Sequence, residues 1–239
     1  MICAFSFSTT PLCGPIGPAP STGTLSPLDA STFSSPDPTF GLNASLWPIL
    51  HRVAHLDFIR HSNPPDSDTQ AASLEQALLH WQPPPDATAA TTPELARSPL
   101  SMASHRSSVH DSRRQSILSN AEAYKQAGLV QLFRSVLNHP RRSPRVQMHA
   151  KQCLQACLRV VIFGGPMCAL LWPICTASTE AVEEVDRNVA RTVFGHLEHR
   201  QGMKNIVGAW DMVEEGWMRG DGGEERVWRG AAGEEVVLC

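Results

Sequence analysis

No CxxC pair, no HExxH pattern and no GxSxG, GxxxxGK[ST] or GxGxxG turn occurs anywhere in the 239 residues. These absences remove the structural zinc ribbon, the zinc-hydrolase helix, the nucleophile elbow, the phosphate-cradling loop and the dinucleotide turn. The chain therefore offers no catalytic residue, no metal ligand set and no cofactor cradle, and it reads as a non-enzyme. Charge is also scarce, at 18% Asp, Glu, Lys and Arg against about a quarter in an ordinary domain. No alternating strand pattern competes with helical periods. The N-terminus, Met1 to Cys13, has neither a basic region nor a long enough apolar run for a signal peptide, so a reducing compartment is expected. The apolar stretch Val160 to Cys175 has 16 residues without a charge. As a helix it would span roughly 24 Å, short of a hydrocarbon core of about 30 Å. It is also broken by Gly164-Gly165-Pro166. That triplet reads as a helix stop and restart between two buried antiparallel helices, and no membrane partner is expected.

What is present is divided unevenly. Residues 1 to 100 carry 3 basic and 8 acidic side chains, residues 101 to 160 carry 10 and 2, and residues 161 to 239 carry 7 and 13. A basic middle between acidic flanks can pair within the molecule, so it is weak evidence for nucleic acid. The seven cysteines, at 3, 13, 153, 157, 168, 175 and 239, make no disulfide framework. Cys153 and Cys157 lie one helical turn apart on an apolar stripe and read as core thiols rather than ligands. His51 with His55, and His196 with His199, lack a third ligand and read as exposed or capping histidines.

Along the chain, residues 1–39 are rich in Pro, Ser and Thr and read as a disordered tail. A short helical segment is expected over 40–81. Its first stripe is Leu42, Leu46, Ile49, Leu50, Val53, Leu56 and Phe58 with Asn43 as cap, and its second is Ala72, Leu74, Ala77, Leu78 and Trp81, closed by Pro83. Residues 82–117 read as a Pro/Ser-rich linker. Within it Arg113-Arg114-Gln115-Ser116 sets two cations ahead of a serine, the pattern that basophilic kinases read, and marks Ser116 as a possible phosphorylation site.

A helical domain is expected over 118–219. Ser119 and Glu122 have the spacing of a capping box, followed by a single buried face of Tyr124, Ala127, Val130, Phe133 and Leu137. Ser143-Pro144 reads as the cap and first residue of the next helix, with the stripe Val146, Ala150, Cys153, Leu154, Cys157 and Val161. Val185, Val189, Val193 and Leu197 predict a further face up to Gly202, and Ile206, Trp210, Val213 and Trp217 a last one up to Gly220. Pro173 predicts a kink or a helix start at Trp172, aiming that ring inward. Trp172, Trp210 and Trp217 are expected to hold the C-terminal helices together, whereas Trp228, in the Gly/Glu-rich tail 220–239, has no apolar period around it. The fold class expected is all-α, an antiparallel helical bundle.

Several segments in this order resemble the regulatory domain of fungal-specific transcription factors, the helical region that follows a DNA-binding zinc binuclear cluster. They are Gly41 to His51, Leu74 to Trp81, Tyr124 to Arg134, Leu171 to Ala177 with its Leu-Trp-Pro, and His196 to Asn205 leading into Trp210 and Trp217. The resemblance makes Trp172, Pro173, Trp210 and Trp217 family-motif core residues. The departure is the zinc cluster itself: it needs six cysteines in two CxxC-led triplets, and the gaps here are 10, 140, 4, 11, 7 and 64. The resemblance thus implies a transcription regulator without its own DNA-reading module, a truncated product or a stand-alone paralogue. Its implied partners are proteins of the transcription machinery or a full-length paralogue, with no specific DNA binding by this chain. A nuclear location is expected, with the cytoplasm as alternative. A helical interaction or ligand-sensing module with no direct transcriptional role is the other reading.

Overall fold

Seven α-helices and no strand occupy the residues described by this computed structural model, which are 45–59, 66–83, 103–165 and 167–221. The expected tail 1–39, the cap at Asn43, most of the linker 82–117 up to residue 102, and Trp228 lie outside them. Helices α1 (Trp47–Ile59) and α2 (Ser67–His80) precede a long α3 (Ala103–Gln131), whose last turn widens into a π-helical segment, Leu132–Val136. Then come α4 (Pro144–Ile162), a 3-10 turn Met167–Ala169, α5 (Leu171–Glu180), α6 (Glu184–Gln201) and α7 (Lys204–Asp221).

Helix α3 is the axis of the molecule. From Ser119 to Arg134 nearly every residue is buried, so the single apolar face expected from Tyr124 to Leu137 is instead a helix covered on all sides. On one side α1 and α2 close over it. Leu46, Leu50, Val53 and Leu56 meet Ala71, Leu74 and Leu78, and both sets pack on Tyr124, Leu129, Leu132 and Phe133. On the other side lie α4 to α7, with Cys153, Leu154, Ile174, Val193, Phe194, Ile206, Val213 and Trp217 in one continuous cluster against Ala123, Ala127 and Val130.

Successive helices run antiparallel. Across the α3–α4 pair, Cys153 Sγ donates to Ala123 O at 3.3 Å and His149 Nδ1 lies 2.7 Å from Gln126 Oε1. Phe194 of α6 packs at a tilt against Trp210 of α7 with ring centroids 5.0 Å apart, while Arg191, earlier in α6, lies over the later Trp217. At the other end, Trp81 Nε1 donates to Ser45 Oγ at 3.1 Å, setting the end of α2 beside the start of α1.

Several local expectations hold. Ser143 precedes a helix with Pro144 at its start. Gly164, with φ +66°, ends α4, and Gly202, with φ +59°, ends α6. Both adopt the left-handed conformation that a residue without Cβ takes without strain. Pro173 sits in the first turn of α5, where its missing N–H leaves no bond unmade.

Others are corrected. The linker does not reach 117, because α3 begins at Ala103. Its first fifteen residues, ASHRSSVHDSRRQSI, have no apolar period. They contain no Pro or Gly either, and extending a nucleated helix adds one hydrogen bond per residue fixed. Ser119 is therefore mid-helix and buried, with no helix start to cap. In α6 the inward stripe is Asp186, Ala190, Val193, Phe194 and Leu197. Val185, one position and about 100° away, is 70% exposed. Phe58 is likewise exposed at the end of α1, and Ala71 rather than Ala72 faces the core in α2.

Candidate functional site

The densest polar chemistry in the described residues gathers at the C-terminal end of α5. A helix leaves its last four carbonyls without intrahelical donors and ends in a partial negative charge. Here that end is buried, and donors come to it from four other helices and the α3–α4 connection. Arg134, in the π-helical end of α3, sets its Nε 2.7 Å from Glu180 Oε2, with the two side chains 5% and 8% exposed. The same guanidinium donates through Nη1 to His139 O at 2.5 Å. Arg141, in the α3–α4 connection, donates through Nη2 to Ala181 O at 2.7 Å and through Nε to Glu180 O at 3.4 Å. Gln147 of α4 donates to Glu180 O at 2.7 Å and Arg141 O at 2.6 Å. Arg187 of α6 reaches Ala181 O at 3.2 Å, and Trp217 of α7 donates its indole N–H to Ser178 O at 2.7 Å. The Arg187 and Arg191 guanidinium carbons stand 5.0 and 5.3 Å from the Trp217 ring centroid, a cation–π arrangement.

Sequence reasoning missed this cluster. Arg134 was one charge of a basic segment, although it interrupts the apolar run Leu129 to Val136, and a charge in such a run signals a buried partner. Two further cations of the basic segment are also engaged within the molecule. Lys125 Nζ lies 3.2 Å from Leu79 O and 3.3 Å from Trp81 O, closing the end of α2. Arg145 pairs with Glu75 at 3.4 Å and covers the Phe133 ring.

A second polar row crosses the α3–α4 seam. Gln126 Nε2 donates to Glu122 Oε1 at 2.6 Å, which leaves Gln126 Oε1 to accept from His149 Nδ1 at 2.7 Å. The imidazole stacks on Phe133 with centroids 5.5 Å apart. Burial, then the positive fields of Arg145 and Lys125, push its pKa down to about 4, with Glu122 opposing. In the unfolded chain it returns to about 6.5. The folded state thus favours the neutral ring: its stabilising contribution is complete above pH 6.5 and is lost as pH falls toward 4. Unfolding titrations at pH 7 and pH 4.5 should differ by about 2 to 3 kcal/mol more for the native protein than for His149→Gln. A variant retaining the full pH dependence would assign it to other groups.

The family-motif residues divide between two places. Trp217 is 4% exposed and joins the α5 cluster, with Trp210 half-buried and edge-on to it at 5.5 Å. Trp172 is half-buried rather than turned fully inward, and it forms a seam across the fold. Its ring lies 5.3 Å from Tyr124, which lies 5.6 Å from Trp47. Pro173 is buried, and its carbonyl oxygen lies 3.4 Å from Cys153 Sγ, as an alternative acceptor to Ala123 O for the single thiol proton.

Ser116 is elsewhere. It lies inside α3, 1% exposed, with its hydroxyl donating to Arg113 O at 2.8 Å. The mobile linker expected around it is a helix.

The thiols suit a core. Burial holds the Cys153 thiol well above its usual range, with Cys157 adding to the effect, and pushes Cys175 up to about 12. They are therefore protonated and poor ligands at neutral pH. Among the described residues no three His, Cys, Asp or Glu side chains gather as a metal set, and no helix is long and apolar enough to cross a membrane. The four histidines paired in the sequence, at 51, 55, 196 and 199, are all exposed. Burial raises the Asp186 carboxyl above its ordinary range, with Lys151 pulling the other way.

A model of the fungal specific transcription factor domain matches residues 10–238. No curated protein and no solved structure matches the chain.

Proposed function

Because the chain belongs to the fungal specific transcription factor domain family, we propose that it regulates transcription as an all-helical module through protein or effector contacts, without specific reading of DNA by its own residues. The family is one of transcription factor domains and not of enzymes. The observation that carries the proposal is the internal use of four of the ten cations of the basic segment. Arg134, Arg141, Arg145 and Lys125 are directed at Glu180, Glu75 and backbone carbonyls within the same chain, so these cations are not arrayed for phosphates. The sequence carries no CxxC pair with which to build a zinc cluster. Recruitment by a full-length paralogue or by the transcription machinery, in the nucleus, is the mode of action that fits.

The test has two arms. Tethered to a heterologous DNA-binding module in a fungal host, the full chain should change output from the matching reporter by at least about threefold, a little over 0.6 kcal/mol in recruitment. In solution it should bind duplex DNA only unselectively, with affinity falling steeply between 50 and 200 mM salt, as phosphate contacts do. A protected footprint at one sequence at physiological salt overturns the second half of the proposal, and a silent reporter overturns the first.

A further inference from the structure

Ser116 stands at a boundary in α3. The antiparallel register pairs Ala123 with Cys153 and Gln126 with His149. Toward its N-terminus, α3 accordingly meets the end of α4 near Ser116, where that side chain packs against Val160 and Gly165. The helix continues N-terminally to Ala103, and Asp111, Arg113, Arg114 and Gln115 are exposed. The two arginines and the glutamine ahead of the serine thus face solvent, and between residues 111 and 116 the serine is the one that is buried.

The contact that holds it leaves no room for a larger group. A methyl placed on Gly165 would lie 2.6 Å from Ser116 Cβ, 2.9 Å from Val160 Cγ1 and 3.0 Å from Ser116 Oγ. Gly165 N–H is already engaged with Val160 O at 2.9 Å, so it is not available to an added anion. A phosphate on Ser116 would bring about -1.5 to -2 charges into a contact lined by an aliphatic side chain and a glycine backbone. Burying such a charge without a partner is far more unfavourable than separating the two surfaces.

We propose that Ser116 is a latch residue whose phosphorylation by an arginine-directed serine kinase holds the N-terminal part of α3 away from the α4–α5 connection. The kinase transfers the γ-phosphoryl group of a nucleoside triphosphate. The bond to Ser116 Oγ forms as the bond to the β-phosphate oxygen breaks, the hydroxyl proton passes to the kinase's base, and the nucleoside diphosphate leaves. Access requires fraying from the N-terminal end of α3, whose sequence from Ala103 to Gln115 carries no apolar period; helix ends open at small fractions of the global free energy. Once modified, the segment cannot reseat against Gly165. The phosphate then faces Arg113 and Arg114 on the preceding turn, a pairing available only in the open state. The proposal is independent of the transcriptional role proposed above.

The full chain, incubated with an arginine-directed kinase and ATP, tests it by intact mass, peptide mapping and amide hydrogen exchange. Ser116 is expected to be modified in the native protein. Amides of residues 113–120 and 163–165 should then lose protection by about tenfold or more, while those of α6 and α7 keep theirs. Gly165→Ala, which crowds the same contact without touching the recognition sequence, should be phosphorylated faster than wild type, and Ser116→Ala should not be modified in that peptide. Absence of phosphate on native Ser116 overturns the proposal. So does phosphorylated Ser116 with unchanged exchange in both segments.

Discussion

Replacing Glu180 by Ala is expected to destabilise the protein by about 3 to 5 kcal/mol, a large share of the 5 to 15 that holds a typical domain together. The loss does not come from the ion pair alone, since a buried pair contributes little net stability once both charges have been taken from water. It comes from what is left behind, the Arg134 guanidinium enclosed beside α5 with no carboxylate for its Nε. Glu180→Gln keeps an acceptor oxygen at the same place and should lose clearly less. Replacing both residues together, Arg134→Met with Glu180→Leu, should recover much of the single-variant loss, because neither charge of the pair then remains buried. Because the pair is out of solvent, raising salt from 0.1 to 1 M should leave the difference between wild type and Glu180→Ala nearly unchanged. Urea titrations of the four proteins decide the matter. A loss below about 1 kcal/mol for Glu180→Ala would mean that solvent reaches Arg134.

Trp217→Ala carries the other large effect, about 3 to 5 kcal/mol for removing a buried indole. The substitution acts on two terms at once. It opens a cavity between α5, α6 and α7, and it leaves Ser178 O without the indole donor. Trp217→Phe separates them: most of the packed surface stays and the hydrogen bond goes, so a loss of about 1 to 2 kcal/mol is expected. The two cations over the ring favour an aromatic there for a further reason. Trp210→Ala should fall well below Trp217→Ala, since Trp210 is only half-buried. Thermal melts ranking Trp210 above Trp217 would contradict the packing described for α7.

The amino-acid pattern made the class of fold readable, and in places its joints. The stripe from Val146 to Cys157, the Ser143-Pro144 start and the Gly164 and Gly202 stops are all local signals: each depends on residues within a turn or two of one another. The start of α3 was not readable because the Ser- and Arg-rich stretch 103–117 carries no apolar period, and its helical state is inherited from the buried part that follows. In α6 Val193 and Leu197 face inward as the stripe predicts, whereas at its first position Val185 is exposed and the carboxylate of Asp186 turns inward instead. The cluster at the end of α5 was hidden for a different reason. Arg134 meets Glu180 46 residues away, and Trp217 meets Ser178 39 residues away. No spacing rule spans such separations. They follow only from how the helices stack, and that is why Trp217 showed itself as an apolar position and not as a donor.

Those same separations matter while the chain is being made. Translation adds about 5 to 20 residues per second, so seconds pass between the synthesis of Ser178 and that of Trp217. Throughout that interval the end of α5 exists without its indole donor, and Arg187 and Arg191 exist without the ring they later cover. The nascent protein thus passes through a stage in which the polar socket at the end of α5 is open. A pause in elongation between 181 and 217 prolongs that stage, and α7 is the helix that closes it.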